Sequence, residues 1–226
     1  EGRNDIRIES AIANLYATEM CYKVLDELVQ VRGGRGYETA ESLKARGERA
    51  VPAEQVLRDS RINRIFEGST EVMRLLLARE ATDQHLSVAG DIIDPEADLQ
   101  AKGQAAVRAA GFYSTWLPKL AVGKGNVPGA YAEYGELARH LRFIDRSSRK
   151  LARSTFYGMS RWQGRLEYQQ AFLGRIVDIG AEHFAMSAAV VKAEQIRTDA
   201  GGAKGAEAVE LADLFCRQAE LRIGRL

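Results

Sequence analysis

Three short stretches hold residues whose types and spacing could do chemistry. The sharpest is Ile65-Phe66-Glu67-Gly68-Ser69-Thr70, a carboxylate behind two large apolar side chains and directly before a helix start. If Phe66 and that helix shield Glu67 from water, desolvation raises its pKa towards the working pH, as a general base requires. Gly68 removes a side chain that would block close approach, and a helix N-terminus offers free N–H donors. The plainer reading is a carboxylate at the positive end of a helix dipole, worth a few tenths to ~1 kcal/mol. Taken alone, the residues favour the plainer reading.

The second stretch is Gln30-Val31-Arg32-Gly33-Gly34-Arg35-Gly36-Tyr37. Its glycines would let backbone N–H groups approach a phosphate, with Arg32 and Arg35 nearby. It follows a helix instead of opening one, so it is neither a P-loop nor a dinucleotide fingerprint. A helix C-cap followed by a turn is the alternative. The third stretch is Arg58-Asp59-Ser60-Arg61-Ile62-Asn63-Arg64. Adjacent Arg and Asp cannot face each other on a helix, so each must pair elsewhere. A solvated or interface ion-pair network is the first reading, and phosphate binding the second.

The elements that must position these residues read as helices throughout. Apolar residues at Ile8, Ile12, Leu15, Met20, Val24, Leu28 and Val31 predict one long amphipathic helix that stops at Gly33-Gly34. Residues 36–52 read as a loop with one short helix near 40–46. Ser69 is a good N-cap for a helix through Val72, Met73, Leu76, Leu77 and Ala81 that fades near His85. Gly90 and Pro95 mark 87–96 as the domain boundary, which sets the units at 1–88 and 89–226. Helices are then expected over 96–117, 129–163, 165–198 and 203–223, broken at Pro118, 123–129, Gly164 and Gly201-Gly202. A stripe of Phe172, Ile176, Ile179, Phe184, Val191 and Ile196 is expected to pack the second unit as a bundle of about four helices. The fold class is all-α: one helical bundle followed by another.

Composition excludes several classes. A net charge of +1 gives no electrostatic case for nucleic acid or anionic lipid. No run approaches ~18 apolar residues, so nothing in the sequence spans a membrane. Cys21 and Cys216 read as small buried hydrophobes in a reduced, intracellular protein, and no disulfide is expected. His85, His140 and His183 lie far apart, and no structural metal is expected. The chain begins at Glu1 and enters an amphipathic pattern at once, so it is expected to be a piece of a longer one.

Taken together and in order, the three stretches closely resemble the C-terminal helical domain of acyl-CoA dehydrogenases, over about 8–85. The region 96–226 is similar to the extra helical domain of very-long-chain-type members, most clearly over 170–189. The resemblance implies that Glu67 is the base that removes the α-proton of an acyl-CoA thioester, with Glu67 and Gly68 at the substrate. The backbone N–H of Glu67, together with a flavin hydroxyl, would hold the thioester oxygen. It further implies FAD as cofactor: Gln30, Gly33 and Gly34 match positions at the adenosine-diphosphate half of FAD bound in a neighbouring subunit. Ser69 and Glu71 match flavin-contacting positions. Ser69 stands where threonine is usual, and Glu71 where an amide or another polar residue is common. The loop 38–54 is longer than in many relatives. The implied partners are a second subunit, as a dimer with a shared FAD site, and electron-transferring flavoprotein. The implied location is cytoplasmic in a bacterium and mitochondrial in a eukaryote.

Two other classes stay open. An acyl-CoA oxidase-type relative would share the base and pass electrons to oxygen. A non-catalytic helical module would use the second region for dimer contacts or membrane-surface docking. Its candidate would be an interfacial helix bearing Phe112, Tyr113, Trp116, Leu117 and Lys119. A helix simply packed into the bundle is the other reading of that segment.

Overall fold

The computed structural model describes residues 5–66, 68–94 and 96–226. Among them every regular element is a helix, and none is long and apolar enough to cross a membrane. The chain divides into two compact units, Glu1–Leu77 and Ala78–Leu226.

In the first unit α1 (Arg7–Arg32) packs on α4 (Ala53–Arg61). The expected helix is there, but only part of its expected face is covered. Ala11 and Leu15 are buried, and Tyr22, Leu25 and Val29 continue that stripe half-buried. Met20, Val24, Leu28 and Val31 lie outward, Val31 84 % exposed. The helix is apolar on two sides, and periodicity alone does not say which side this unit covers. The short α2 (Gly34–Tyr37) and α3 (Ala40–Ala45) follow. Thr39 caps α3 by accepting the Ser42 N–H at 3.2 Å. The long loop is therefore a packed one. Leu43 is fully buried, and ion pairs Arg46–Glu38 (2.7 Å) and Arg35–Glu48 (2.5 Å) close its rim.

Helix α5 (Thr70–Ile93) begins in the first unit and ends in the second. It does not fade at His85. It runs through the expected 88/89 boundary, because glycine inside a helix costs only about 1 kcal/mol against alanine and Gly90 does not stop it. The units divide instead between Leu77 and Ala78. Pro95 lies outside the described residues.

The second unit continues with α6 (Leu99–Ala121), α7 (Ala138–Trp162), α8 (Gln170–Ala200) and α9 (Gly202–Ile223). Pro118 sits in the last turn of α6, where little helix remains to break. The expected helix start at 129 is corrected to Ala138: 3₁₀ turns fill 124–126 and 132–137, with positive φ at Tyr131 (64°) and Gly135 (54°). A third such turn delays α8 to Gln170, and α7 ends at left-handed Gln163 (φ 48°), one residue before the expected Gly164. The core lies mainly between α8 and α9, where Met186, Val190 and Ala193 meet Val209, Ala212, Cys216 and Ala219. Steps of three and four with small side chains let the two helices approach closely. Of the expected stripe, Ile176 is buried and Phe172, Ile179 and Ile196 are half-buried, while Phe184 and Val191 face outward.

Candidate functional site

Each chemistry-bearing stretch can now be placed within the first unit. Ser69 caps α5 as expected, its Oγ accepting the Val72 N–H at a long 3.4 Å, and it keeps its own O–H to donate. Gly68 holds φ at 105°, a conformation that favours glycine, and a Cβ there would meet Met73 Sδ at 2.6 Å. Glu71 is exposed in the first turn of α5. Glu67 lies outside the described residues. Ile65 and Phe66 are exposed, Phe66 by 45 %. Phe66, to which the sequence assigns a shielding role, is thus itself open to solvent.

The arginine stretch resolves into separate pairings. Arg58 pairs with Glu54 one turn back on α4, and Asp59 accepts from Gln55 Nε2 at 2.7 Å. The Arg61 guanidinium lies 5.6 Å and the Arg64 guanidinium 4.7 Å from the Tyr22 ring centroid, within cation–π range. Arg64 Nε also donates to Glu19 Oε1 at 2.8 Å. The same oxygen accepts the hydroxyl of buried Thr70 at 2.6 Å. Burial pushes the Glu19 carboxyl up, but the Thr70 and Arg64 hydrogen bonds outweigh it and hold the carboxyl below its ordinary range.

Sequence reasoning missed Glu19. Its partners are 45 and 51 residues away. The signal that could have found it is its place on the covered stripe of α1, between Leu15 and Tyr22, where a carboxylate needs a partner.

At the far end of α1, Gly33 turns the chain with φ 58°, its N–H returning to the Gln30 carbonyl at 3.1 Å. The helix stop is thus as expected, and α2 follows it at once. The three glycines differ in kind. A Cβ on Gly36 would sit 2.4 Å from the Val29 carbonyl oxygen, so Gly36 serves packing. Gly33 and Gly34 are exposed beside exposed Gln30, with nothing within 4 Å of where their Cβ atoms would lie. That leaves bare backbone and one amide side chain on an open surface, which fits a group laid flat against it. Arg32 Nε, on the residue before Gly33, is buried and has no hydrogen-bond partner among the described residues.

The second unit holds polar groups of a different kind. His85 sits among Phe112, Tyr113, Trp116 and Phe156, sharing a 3.1 Å hydrogen bond with the Tyr113 hydroxyl. The aromatic residues of the would-be membrane helix are thus turned onto a histidine inside their own unit. His140, 1 % exposed, has Glu220 at 2.7 Å on Nδ1 and Asp213 at 2.8 Å on Nε2. Cys216 is buried, and that burial pushes its thiol up to about 12. Cys21, expected to be buried, is exposed on α1. Among the described residues no three His, Cys, Asp or Glu side chains gather to hold a metal.

Comparison with known proteins gives these placements a context. Residues 1–82 match the family model described as the acyl-CoA dehydrogenase C-terminal domain. The whole chain is 66 % identical to a probable acyl-CoA dehydrogenase, FadE10, of Mycobacterium tuberculosis, and covers 35 % of it. Over 78 residues, 34 % of this chain, it is 41 % identical to the human mitochondrial very long-chain specific acyl-CoA dehydrogenase and covers 10 % of that protein. A crystal structure of an acyl-CoA dehydrogenase from Bacillus anthracis complexed with FAD superposes with a TM-score of 0.63 at 25 % identity, over 96 % of this chain and 31 % of the other. The chain spans about a third of the length of the mycobacterial relatives it matches.

Proposed function

Because the chain belongs to the acyl-CoA dehydrogenase family, with residues 1–82 matching its C-terminal domain, we propose that it is the C-terminal part of an FAD-dependent enzyme. That enzyme oxidises acyl-CoA to trans-2-enoyl-CoA in fatty-acid β-oxidation, with Glu67 as the base. The observation that carries the reading is the run Arg64 to Thr70 at the head of α5. Both of its flanks are tied to α1 in a chain that matches the family domain.

In this reading Glu67 takes the α-proton, and its backbone N–H donates to the thioester oxygen as enolate-like charge develops there. Gly68 keeps the approach to that oxygen clear. Bound FAD would supply the acceptor for the β-hydride. Ser69 offers its hydroxyl proton and Glu71 its side chain on the flavin side. Gln30, Gly33 and Gly34 hold the adenosine-diphosphate half of the FAD of a second subunit, which makes the working unit a dimer. Electron-transferring flavoprotein is the electron acceptor in this reading.

The full-length protein tests it. It should purify yellow, bleach anaerobically on addition of acyl-CoA, and recolour with electron-transferring flavoprotein or a dye. The 226-residue chain alone should hold no stoichiometric FAD. A colourless full-length protein that takes up no flavin would sink the reading. Fast oxygen uptake would assign the oxidase class instead.

A further inference from the structure

The function of Glu19 goes beyond the family chemistry. One of its carboxylate oxygens, Oε1, receives Arg64 Nε at 2.8 Å and the Thr70 hydroxyl at 2.6 Å. These two residues stand immediately before and after the segment 65–69. Arg64 is further held against Tyr22, one turn along α1 from Glu19, and Thr70 is 5 % exposed. A single atom on the covered face of a 26-residue helix thus fixes both ends of that segment. Neither contact is a surface ion pair of negligible worth: the carboxylate is partly buried, and both bonds are charge-assisted.

We propose that Glu19 is a positioning residue, which sets the span of the segment 65–69 and so the place of the base that it carries. The proposal rests on the reading of Glu67 as that base. Thr70 is the first residue of α5 and Arg64 the last of the 3₁₀ turn before it. Release of either flank lets the segment shift while both helices persist. A displacement of about 1 Å at a reacting group can cost on the order of 10²-fold in rate with little effect on substrate binding.

The test uses the full-length flavoprotein. Glu19→Gln keeps the volume and loses the charge, and Thr70→Val keeps the shape and loses the hydroxyl. Both are compared with Glu67→Gln and with Glu54→Gln, which disturbs an ion pair on α4 that faces Arg58. The readouts are the limiting rate of anaerobic flavin reduction per bound FAD, acyl-CoA affinity, FAD content and Tm. Glu19→Gln should slow reduction about ten- to a hundredfold at unchanged substrate affinity. Thr70→Val should slow it less, and Glu54→Gln should match the parent. If Glu19→Gln does not fold, Thr70→Val alone decides. Parent-rate reduction in the flank variants while Glu67→Gln is dead would overturn the positioning role and leave the base standing. Lower FAD content or Tm with an unchanged rate per bound FAD would also overturn it, as a purely structural contact. Parent-rate reduction in Glu67→Gln would remove both.

Discussion

Ser147 on α7 presents its hydroxyl to Nε2 of His183 on α8 at 2.9 Å, and Ser148 lies 3.4 Å from the other ring nitrogen. Both partners of this buried imidazole are neutral. One hydroxyl can donate to a bare nitrogen and the other accept from an N–H, so the arrangement suits the uncharged ring. Burial lowers its pKa to about 4, with the neighbouring Glu182 charge opposing.

That shift dictates a pH dependence. Above the ordinary histidine value, folded and unfolded chains are both neutral at this site and nothing is lost. Between about 6.5 and about 4 the unfolded chain binds a proton that the folded one refuses, so stability falls as pH falls, by about 3 kcal/mol across the window. His183→Gln should therefore narrow its Tm deficit against the parent as pH drops from 7 to 4. A deficit independent of pH would contradict the assignment.

His140, on the same helix α7, has a carboxylate at each ring nitrogen. Burial would raise the Asp213 carboxyl, yet the hydrogen bonds from His140 and Arg139 hold it below its usual range. The triad ties α7 to α9. His140→Leu should leave Glu220 without its imidazole partner, while Asp213 keeps Arg139 and Arg217, and destabilise the protein by about 1 to 3 kcal/mol in urea unfolding, the cost of leaving a partly buried polar group unsatisfied. A loss under about 1 kcal/mol would show that solvent replaces the imidazole there.

The glycines before α3 should separate packing from binding. Gly36→Ala drives a Cβ into the Val29 carbonyl and should lower stability by about 1 to 3 kcal/mol. Gly34→Ala meets nothing within 4 Å, so Tm should hold while FAD retention by the full-length protein falls. Equal FAD retention in parent and Gly34→Ala would remove Gly34 from the cofactor site.

These residues also show how far the sequence could be read. The helix-rich fold was legible, as were the Gly33 stop, the Ser69 cap and the paired destinies of Arg58 and Asp59, because each follows from local backbone chemistry or spacing. The covered face of α1 was not, since Met20, Val24 and Leu28 read as strongly as Leu15 and only tertiary packing chooses between them. The α8 stripe is misread at Phe184 and Val191 for a related reason. Close approach to α9 selects Ala193, Ala212 and Ala219 over larger Phe184 and Val191, and hydropathy ranks these in the reverse order. Tyr131 and Gln163 adopt positive φ without being glycine, so the turns they make carry no sequence signature. Glu19 needed contacts 45 and 51 residues away, which no local window contains.

Single-turnover flavin reduction in full-length Glu67→Gln and Glu71→Gln tests the proposed role of Glu67 as the base most directly. The amide is isosteric, and in the proposed reading the thioester donor is a backbone N–H, so Glu67→Gln should keep its fold, FAD and acyl-CoA binding. It should lose ~10² to 10⁴ in reduction rate, the share a positioned acid–base group contributes. Glu71, exposed in the first turn of α5, should tolerate the same change with only a modest shift in flavin affinity. Reduction at the parent rate in Glu67→Gln, with Glu71→Gln inert, would contradict the account and move the base to Glu71.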